Sequence, residues 1–372
     1  MDKFSGKRIK LAKRINKFDP MSYHALQSME DLVRISSLEG ITLFENKAMK
    51  QAIADEMLRD SFHIKTTSYL SELKKRLDHN IKKEIKVGDK IYSLKVSAVY
   101  DEGNMVGFVE VYRDITKKTN ALNQLRKINI DINKDIMLAK NIQQAILPNI
   151  HNYKNIHFDF CHLPSDNLSG DIFDVVQIDS NRLVVYIADV VGHGISASIM
   201  TMFIRQTMRN ILSQEKDFGP SQIILELKEK FSKLGLDVSQ YFTMILALVD
   251  LEDDTMTYVN AGHNGTPIMF NDKYVAKMKN RGRFISNIFP PLDYEEKVLH
   301  LIKGDKFLFY TDGLLETQNS RGEFFGEENL IKWVKDNRKE SDIIEKLTKY
   351  VNTYRWSSQI DDVAIVMMEI RG

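Results

Sequence analysis

The spacing of apolar and polar positions divides the chain into three textures. Between residues 21 and 117, Val33–Ser36 and Ile41–Phe44 read as short strands around the turn Leu38-Glu39-Gly40. A helix is expected after Asn46, whose side chain suits the cap position. Lys83–Lys86, Ile91–Val99 and Val106–Tyr112 alternate apolar with polar residues, and Val87-Gly88-Asp89 and Asp101-Glu102-Gly103-Asn104 between them predict hairpins. Residues 118–147 contain neither Gly nor Pro, and Ala121, Leu125, Ile128, Ile132, Ala139, Ile142 and Ile146 fall on a four-three spacing broken by Asp135. That seam predicts a helix, ended by Pro148. A parallel coiled-coil dimer satisfies the seam, and so does a single amphipathic helix packed on one of the chain's own domains. Its place end to end between two domains favours the dimer.

From 149 to 372 strands and helices alternate. Ile156–Cys161, Ile172–Ile178, Arg182–Ala188, Phe242–Asp250, Thr255–Asn260 and Asp305–Tyr310 read as strands, and Ile195–Leu212, Gln222–Leu234, Glu327–Lys335 and Asp342–Val351 as helices. Strands in consecutive pairs predict antiparallel sheets covered by helices, an α+β class, rather than a doubly wound parallel sheet.

Composition narrows the function classes. The 372 residues are 43% hydrophobic and 28% charged, which is globular, and the length suits two or three domains. Fifty-two basic against fifty-one acidic residues leave a net charge of +1, so no overall field supports nucleic acid as a partner. Cys161 is the lone cysteine, which excludes a disulfide framework and a multi-cysteine metal site and fits a cytoplasmic protein. No apolar run approaches the roughly 18 residues of a membrane span, and the N-terminus lacks the apolar core of a secretory signal. Residues 2–17 hold seven basic residues against one acid, a segment (1–20) read as a solvated lead-in helix or tail, or alternatively as a surface-binding helix.

Four acidic positions stand at expected strand ends or turns: Asp171 in Ser169-Gly170-Asp171, Asp189 in Ala188-Asp189-Val190-Val191-Gly192-His193-Gly194, Asp312 in Tyr310-Thr311-Asp312-Gly313, and Asp361 before Asp362. Taken singly, Asp-Gly is a common turn. Converging at the ends of apolar strands, such carboxylates demand a neutralising cation. Hard oxygen donors select Mg²⁺ or Mn²⁺ over zinc, and two such ions sharing a water can direct it at phosphorus.

Two resemblances join these observations. The paired strands, helices and three antiparallel strands closing on Val111-Tyr112-Arg113-Asp114-Ile115-Thr116 resemble a PAS sensor domain over residues 21–117. Ala139–Pro148, Ser169–Asp174, Ala188–Gly194, Asn260-Ala261-Gly262-His263, Tyr310–Glu316 with Phe325-Gly326, and Asp361-Asp362 resemble, in order and spacing, the metal-dependent PPM serine/threonine phosphatases of the bacterial SpoIIE/RsbU type. The expected organisation is a basic segment (1–20), a PAS-like domain (21–117), a helical coiled-coil linker (118–148) and a PPM phosphatase domain (149–372). The resemblance implies an αββα sandwich with two Mn²⁺ or Mg²⁺ ions between its sheets. Asp189 would bridge them with the Val190 carbonyl as a further ligand, Asp312 and Asp361 would hold the second ion, and Asp171 would bind directly or through water. Metal-bound hydroxide would then attack a phosphoserine or phosphothreonine. His193 would donate a proton to the leaving oxygen, or, as the blander reading has it, merely form the turn into the next helix. His263 reads as a structural hydrogen-bonding residue. The implied substrate is a phosphorylated STAS-type anti-sigma-factor antagonist, and the implied assembly a homodimer through the PAS-like domain and linker.

Several residues depart from the family pattern: Val191 for a small or polar residue, Ser169 for Gly, Ala364 for Thr, and Ile285–Leu292 in place of a Gly-Leu-Pro-Leu-Gly-like loop. None removes an expected metal ligand. A catalytically weak phosphoprotein-binding module of the same fold is the competing function. A degenerate nucleotide-cyclase signature at Ser169–Phe173 explains only those five residues. His24, His63 and His79 are the histidines of the PAS-like domain, and the sequence selects no ligand for it.

Overall fold

The structure is a computed structural model, described over residues 20–54, 80–291 and 293–371. The basic N-terminal segment, His63 and His79 lie outside the described residues. The chain divides into two units, 1–131 and 132–372.

In the first unit α1 (Pro20–Ser28) precedes β1 (Leu32–Ser37), β2 (Thr42–Glu45) and α2 (Lys47–Ala52), and β3 (Asn80–Val87), β4 (Lys90–Asp101) and β5 (Asn104–Asp114) follow. They form one antiparallel sheet in the order β2-β1-β5-β4-β3. Asn46 caps α2 as its sequence predicts, its Oδ1 accepting from Met49 N at 2.9 Å and from Val33 N at 3.1 Å. Leu94, Val96, Phe108 and Tyr112 alternate inward and build the core with Ile81 and Met49. Asp114 ends β5, and its Oδ1 accepts from both Thr116 N (3.0 Å) and Thr116 Oγ1 (2.6 Å), which turns the chain into α3 (Thr116–Ile146).

The helix runs unbroken through the segment expected as a linker. Leu125, Ile128, Ile132 and Ile142 on its seam are each roughly half exposed, and Gln143 is its one residue classed as buried.

The second unit is a four-layered sandwich. One sheet is ordered β15 (Lys297–His300), β11 (Thr255–Ala261), β10 (Tyr241–Asp250), β9 (Arg182–Val190), β8 (Asp171–Gln177), with β14 (Ile285–Ser286) also paired to β10. The other is ordered β13 (Val275–Lys277), β12 (Ile268–Phe270), β16 (Lys306–Tyr310), β17 (Val363–Ile370), β7 (Ile156–Leu163), β6 (Asn152–Tyr153). Every pairing along these two orders is antiparallel. Leu183, Val185 and Ile187 face Phe307, Phe309, Ala364 and Val366 between the sheets. Their neighbours Val184, Tyr186 and Ala188 turn outward under α4 (Ile195–Gln214) and α5 (Pro220–Ser232). Across the second sheet, Leu308, Tyr310, Ile365 and Met367 pack under α6 (Gly326–Asn337) and α7 (Ile343–Tyr354). Strands buried on both faces carry continuous apolar runs, which is why Val363–Ile370 gives no alternating signal. That central strand, and the short β6 and β12–β15, go beyond the elements the sequence predicts.

Candidate metal centre

All four predicted aspartates lie at one end of the sandwich. Asp171 opens β8 and Asp189 nearly closes β9, and the two are direct partners in the antiparallel register. Both share the parity of the inward residues Phe173 and Ile187, so their carboxylates enter the space between the sheets. From the opposite sheet, β16 runs into a turn of 3-10 helix at Asp312–Leu314, and Asp361 and Asp362 lead into β17. A Cβ on Gly313 would stand 2.0 Å from the Asp362 carbonyl, so only glycine lets these two connections meet.

The hydrogen bonds fix backbone and side chains together. Thr311 Oγ1 donates to Asp171 Oδ2 at 2.7 Å and accepts from Ala364 N at 2.9 Å, tying the first sheet to the second. Asp362 accepts from Gly170 N (2.6 Å), Ser165 N (2.6 Å) and Ser165 Oγ (2.8 Å). Ser169 Oγ accepts from Asp171 N at 3.0 Å, a bond the family's usual glycine lacks. Asn264 Nδ2 donates to Asp312 Oδ2 at 3.0 Å. Gln143 clasps the turn from α3, its Nε2 donating to Ser169 O at 2.8 Å and its Oε1 accepting from Ser169 N at 3.0 Å. The same Nε2 reaches Thr201 Oγ1 on α4 at 3.2 Å.

The electrostatics are strained by like charge. Burial, then the charges of Asp312, Asp361, Asp362 and Glu316, push Asp189 up to about 8. Burial, followed by the Asp189 charge, holds Asp171 well above the usual carboxylate range against the Thr311 hydrogen bond. Asp361 is raised by burial and by Asp312 and Asp362, with His193 pulling it down. Glu316 is raised by burial and by Asp312 and Asp361, which places it in the same field. No Lys or Arg side chain contributes to any of these shifts.

Carboxylates that raise one another in this way have the donor chemistry of a hard divalent cation site. Among the described residues, no three such side chains are grouped around a single point. A shallow cleft opens beside Asp361, lined by Glu316, Gln318, Arg355 and Ser358.

Val190 lies in the same turn, its N–H donating to Gly170 O at 3.1 Å. His193 is exposed between Gly192 and Gly194, whose φ values of 89° and 80° favour glycine and turn the chain into α4. His263 is buried, with Nδ1 2.9 Å from Thr243 Oγ1 and Nε2 3.0 Å from Tyr310 O, so both ring nitrogens are engaged away from the carboxylates. Thr311, Glu316, Asp362 and Gln143 join the site beyond the predicted set. All four lie in stretches whose sequence pattern was already distinctive.

Solved structures share this architecture. The SiaA-PP2C domain of Pseudomonas aeruginosa superposes with a TM-score of 0.58 at 21% identity, covering 65% of this chain and 98% of that one. The PP2C phosphatase domain of SpoIIE from Bacillus subtilis, with a fragment of its regulatory domain, gives 0.51 at 13% identity over the full length of both chains. At these identities the likeness shows the fold. Among curated proteins, the phosphoserine phosphatase RsbU of Bacillus subtilis is 28% identical over 214 residues, 57% of this chain and 62% of RsbU. RsbP of the same organism is 26% identical over 195 residues, 51% of this chain and 47% of RsbP. The match thus spans about half to three fifths of these relatives' length. Residues 179–371, just over half the chain, match the family described as stage II sporulation protein E, and the chain belongs to that SpoIIE family.

Proposed function

We propose that this chain is a metal-dependent protein serine/threonine phosphatase regulated by its N-terminal unit. The observation that carries the reading is the paired Asp171 and Asp189 in a field of further carboxylates, with Asp189 raised to about 8 and, among the described residues, no Lys or Arg side chain among the causes of that shift. Bound there, two Mn²⁺ or Mg²⁺ ions supply neutralising charge to the phosphoryl oxygens and an acidified water. Asp189 and the Val190 carbonyl would hold the first ion, Asp189, Asp312 and Asp361 would hold the second, and Asp171 would bind directly or through water. Thr311 orients Asp171 by its 2.7 Å hydrogen bond, and Asp362 pins the Gly170 turn. His193, at the exposed rim and close enough to act on Asp361, holds the proton for the departing seryl or threonyl oxygen.

The names of the curated relatives, phosphoserine phosphatases, support a phosphoserine substrate. Family resemblance makes it a phosphorylated STAS-type anti-sigma-factor antagonist. The β2-β1-β5-β4-β3 order and the turn at Asp114-Ile115-Thr116 support a PAS-like sensor, and the half-exposed seam of α3 supports a homodimer formed through that helix. Gln143 gives the helix a direct hold on the Ser169 backbone, two residues from Asp171. A signal that changes the helix register is thereby felt at the metal site.

The test incubates the full chain with a phosphoserine STAS-domain protein in Mn²⁺, Mg²⁺ or chelator, beside Asp312→Asn. Metal-dependent phosphate release lost in the variant is the expected result. Tight binding of the phosphoprotein without release, in every metal and in residues 136–372 as well, replaces the enzyme with the binding module.

A further inference from the structure

Between β13 and β14 the chain crosses from one sheet of the sandwich to the other as an extended segment. Its side chains alternate: Met278 and Asn280 are buried, while Lys279, Arg281 and Arg283 are exposed. The inward residues are fixed by hydrogen bonds, Met278 N to Pro267 O at 2.8 Å, Asn280 Nδ2 to Glu295 O at 2.8 Å, and Asn260 Nδ2 to Asn280 O at 3.2 Å. The outward residues form a basic ladder. Among the described residues none of the three makes an ion pair. Nearby carboxylates are engaged elsewhere, Glu295 with Lys297 at 3.7 Å and Glu296 with Ser221 N at 2.8 Å. Arg283 lies over the Phe289 ring at 5.2 Å, beside Lys228 and Tyr294.

The ladder comes nearest the metal centre at its Arg283 end and runs away from it along β11, where Asn280 O accepts from Asn260 Nδ2. Ile285 pairs with Phe242, and the next residue of β10, Thr243, pairs with Asp189. The chain therefore enters β14 two strand spacings, about 10 Å, from Asp189. At about 3.3 Å per residue, Arg281 stands about 7 Å and Lys279 about 13 Å beyond Arg283. The carboxylates of Asp171, Asp189, Asp312, Asp361, Asp362 and Glu316 outnumber the four charges of two divalent cations, so a phosphoryl dianion approaches a surplus of negative charge.

We infer that Lys279, Arg281 and Arg283 dock an extended acidic segment flanking the phosphoserine of the protein substrate. Basic side chains repeating about every 7 Å match carboxylates at alternate positions of an extended peptide. The inference rests on the phosphatase reading for the place of the phosphoserine, and it names the substrate chemistry that reading leaves open.

The test compares the full chain with the triple variant K279E/R281E/R283E in Mn²⁺. Substrates are a phosphoserine peptide with Glu at alternate flanking positions, the same peptide with Gln, and p-nitrophenyl phosphate. Exposed ion pairs contribute roughly 1.4- to 5-fold each, so three lost together cost about 3- to 125-fold, about 20-fold at the middle of that range. Expected is at least a tenfold preference of wild type for the Glu peptide, lying in KM, falling with salt and abolished in the variant, while p-nitrophenyl phosphate hydrolysis stays within twofold. Hydrolysis of all three substrates by wild type without preference overturns the docking inference and leaves the phosphatase reading standing. Should wild type hydrolyse none of them, fluorescence anisotropy of the labelled Glu peptide decides the inference without turnover. Salt-sensitive binding weakened tenfold by the triple variant upholds it. Equal binding by the two chains, or tighter ladder-dependent binding of an oligonucleotide or of phosphatidylserine vesicles, overturns it.

Discussion

Replacing Asp189 by Asn removes one charge from a cluster of like charges, and the metal-free protein should become more stable for it. Asp189 sits at about 8, against 3.8 for an ordinary aspartate. Between those values the folded chain keeps a proton that the unfolded chain has released. The metal-free fold therefore loses stability as pH rises from about 4 to about 8. At pH 7 the gap to the unfolded value is about three pH units, each about 1.4 kcal/mol, or about 4 kcal/mol. Asp189 is partly open to solvent, which screens the repulsion and leaves about half of that, about 2 kcal/mol. For a unit of this size each kcal/mol moves Tm by about 2–4 °C. In chelator at pH 7, Asp189→Asn should therefore melt about 4–8 °C above wild type by differential scanning fluorimetry, and the advantage should shrink at pH 5. Added Mn²⁺ should reverse the order, raising wild type and leaving the variant unmoved, with hydrolysis lost. A variant that melts below wild type in chelator at pH 7 would refute the reasoning, because the Asp189 carboxylate would then be a satisfied structural group with no need of a cation.

Three further outcomes follow from particular contacts. Thr311→Val deprives both Asp171 Oδ2 and Ala364 N of a buried partner at about 1–3 kcal/mol each, so urea denaturation should show about 2–6 kcal/mol lost, and half-maximal activity should need more Mn²⁺. Gln143→Ala leaves the Ser169 N–H and carbonyl without the side-chain partner that each has now, and hydrogen exchange at the Ser169 amide should accelerate while the β9 and β10 amides stay protected. Leu125→Asp with Ile132→Asp puts charge on the half-exposed seam of α3, and light scattering should report a monomer; a persisting dimer places the association surface elsewhere.

What the sequence revealed and what it hid divide along physical lines. Asn46, Asp114 and the Gly192-His193-Gly194 turn act within a few residues of themselves, so their roles are written locally, as caps and turns whose partners lie next to them in the chain. The paired strands around Asp171 and Asp189 were legible because a hairpin joins them. The strand Val363–Ile370 was not, since burial on both faces erases the alternation that marks a half-exposed strand. The same divide runs through the site. The four aspartates stand out by their place at strand ends, but what positions them acts over long separations: Gln143 meets Ser169 26 residues away, Thr311 meets Asp171 across 140, and Asp362 meets Ser165 across 197. No local pattern encodes such a contact. It exists only once two sheets have closed on one core, because that closure sets the Thr311 hydroxyl against the Asp171 carboxylate and lets the Gly313 and Asp362 connections meet. The sandwich thus brings together carboxylates that repel one another. Its core must offset that repulsion, and the cation that the proposed function requires would relieve it, linking the stability of this unit to metal binding.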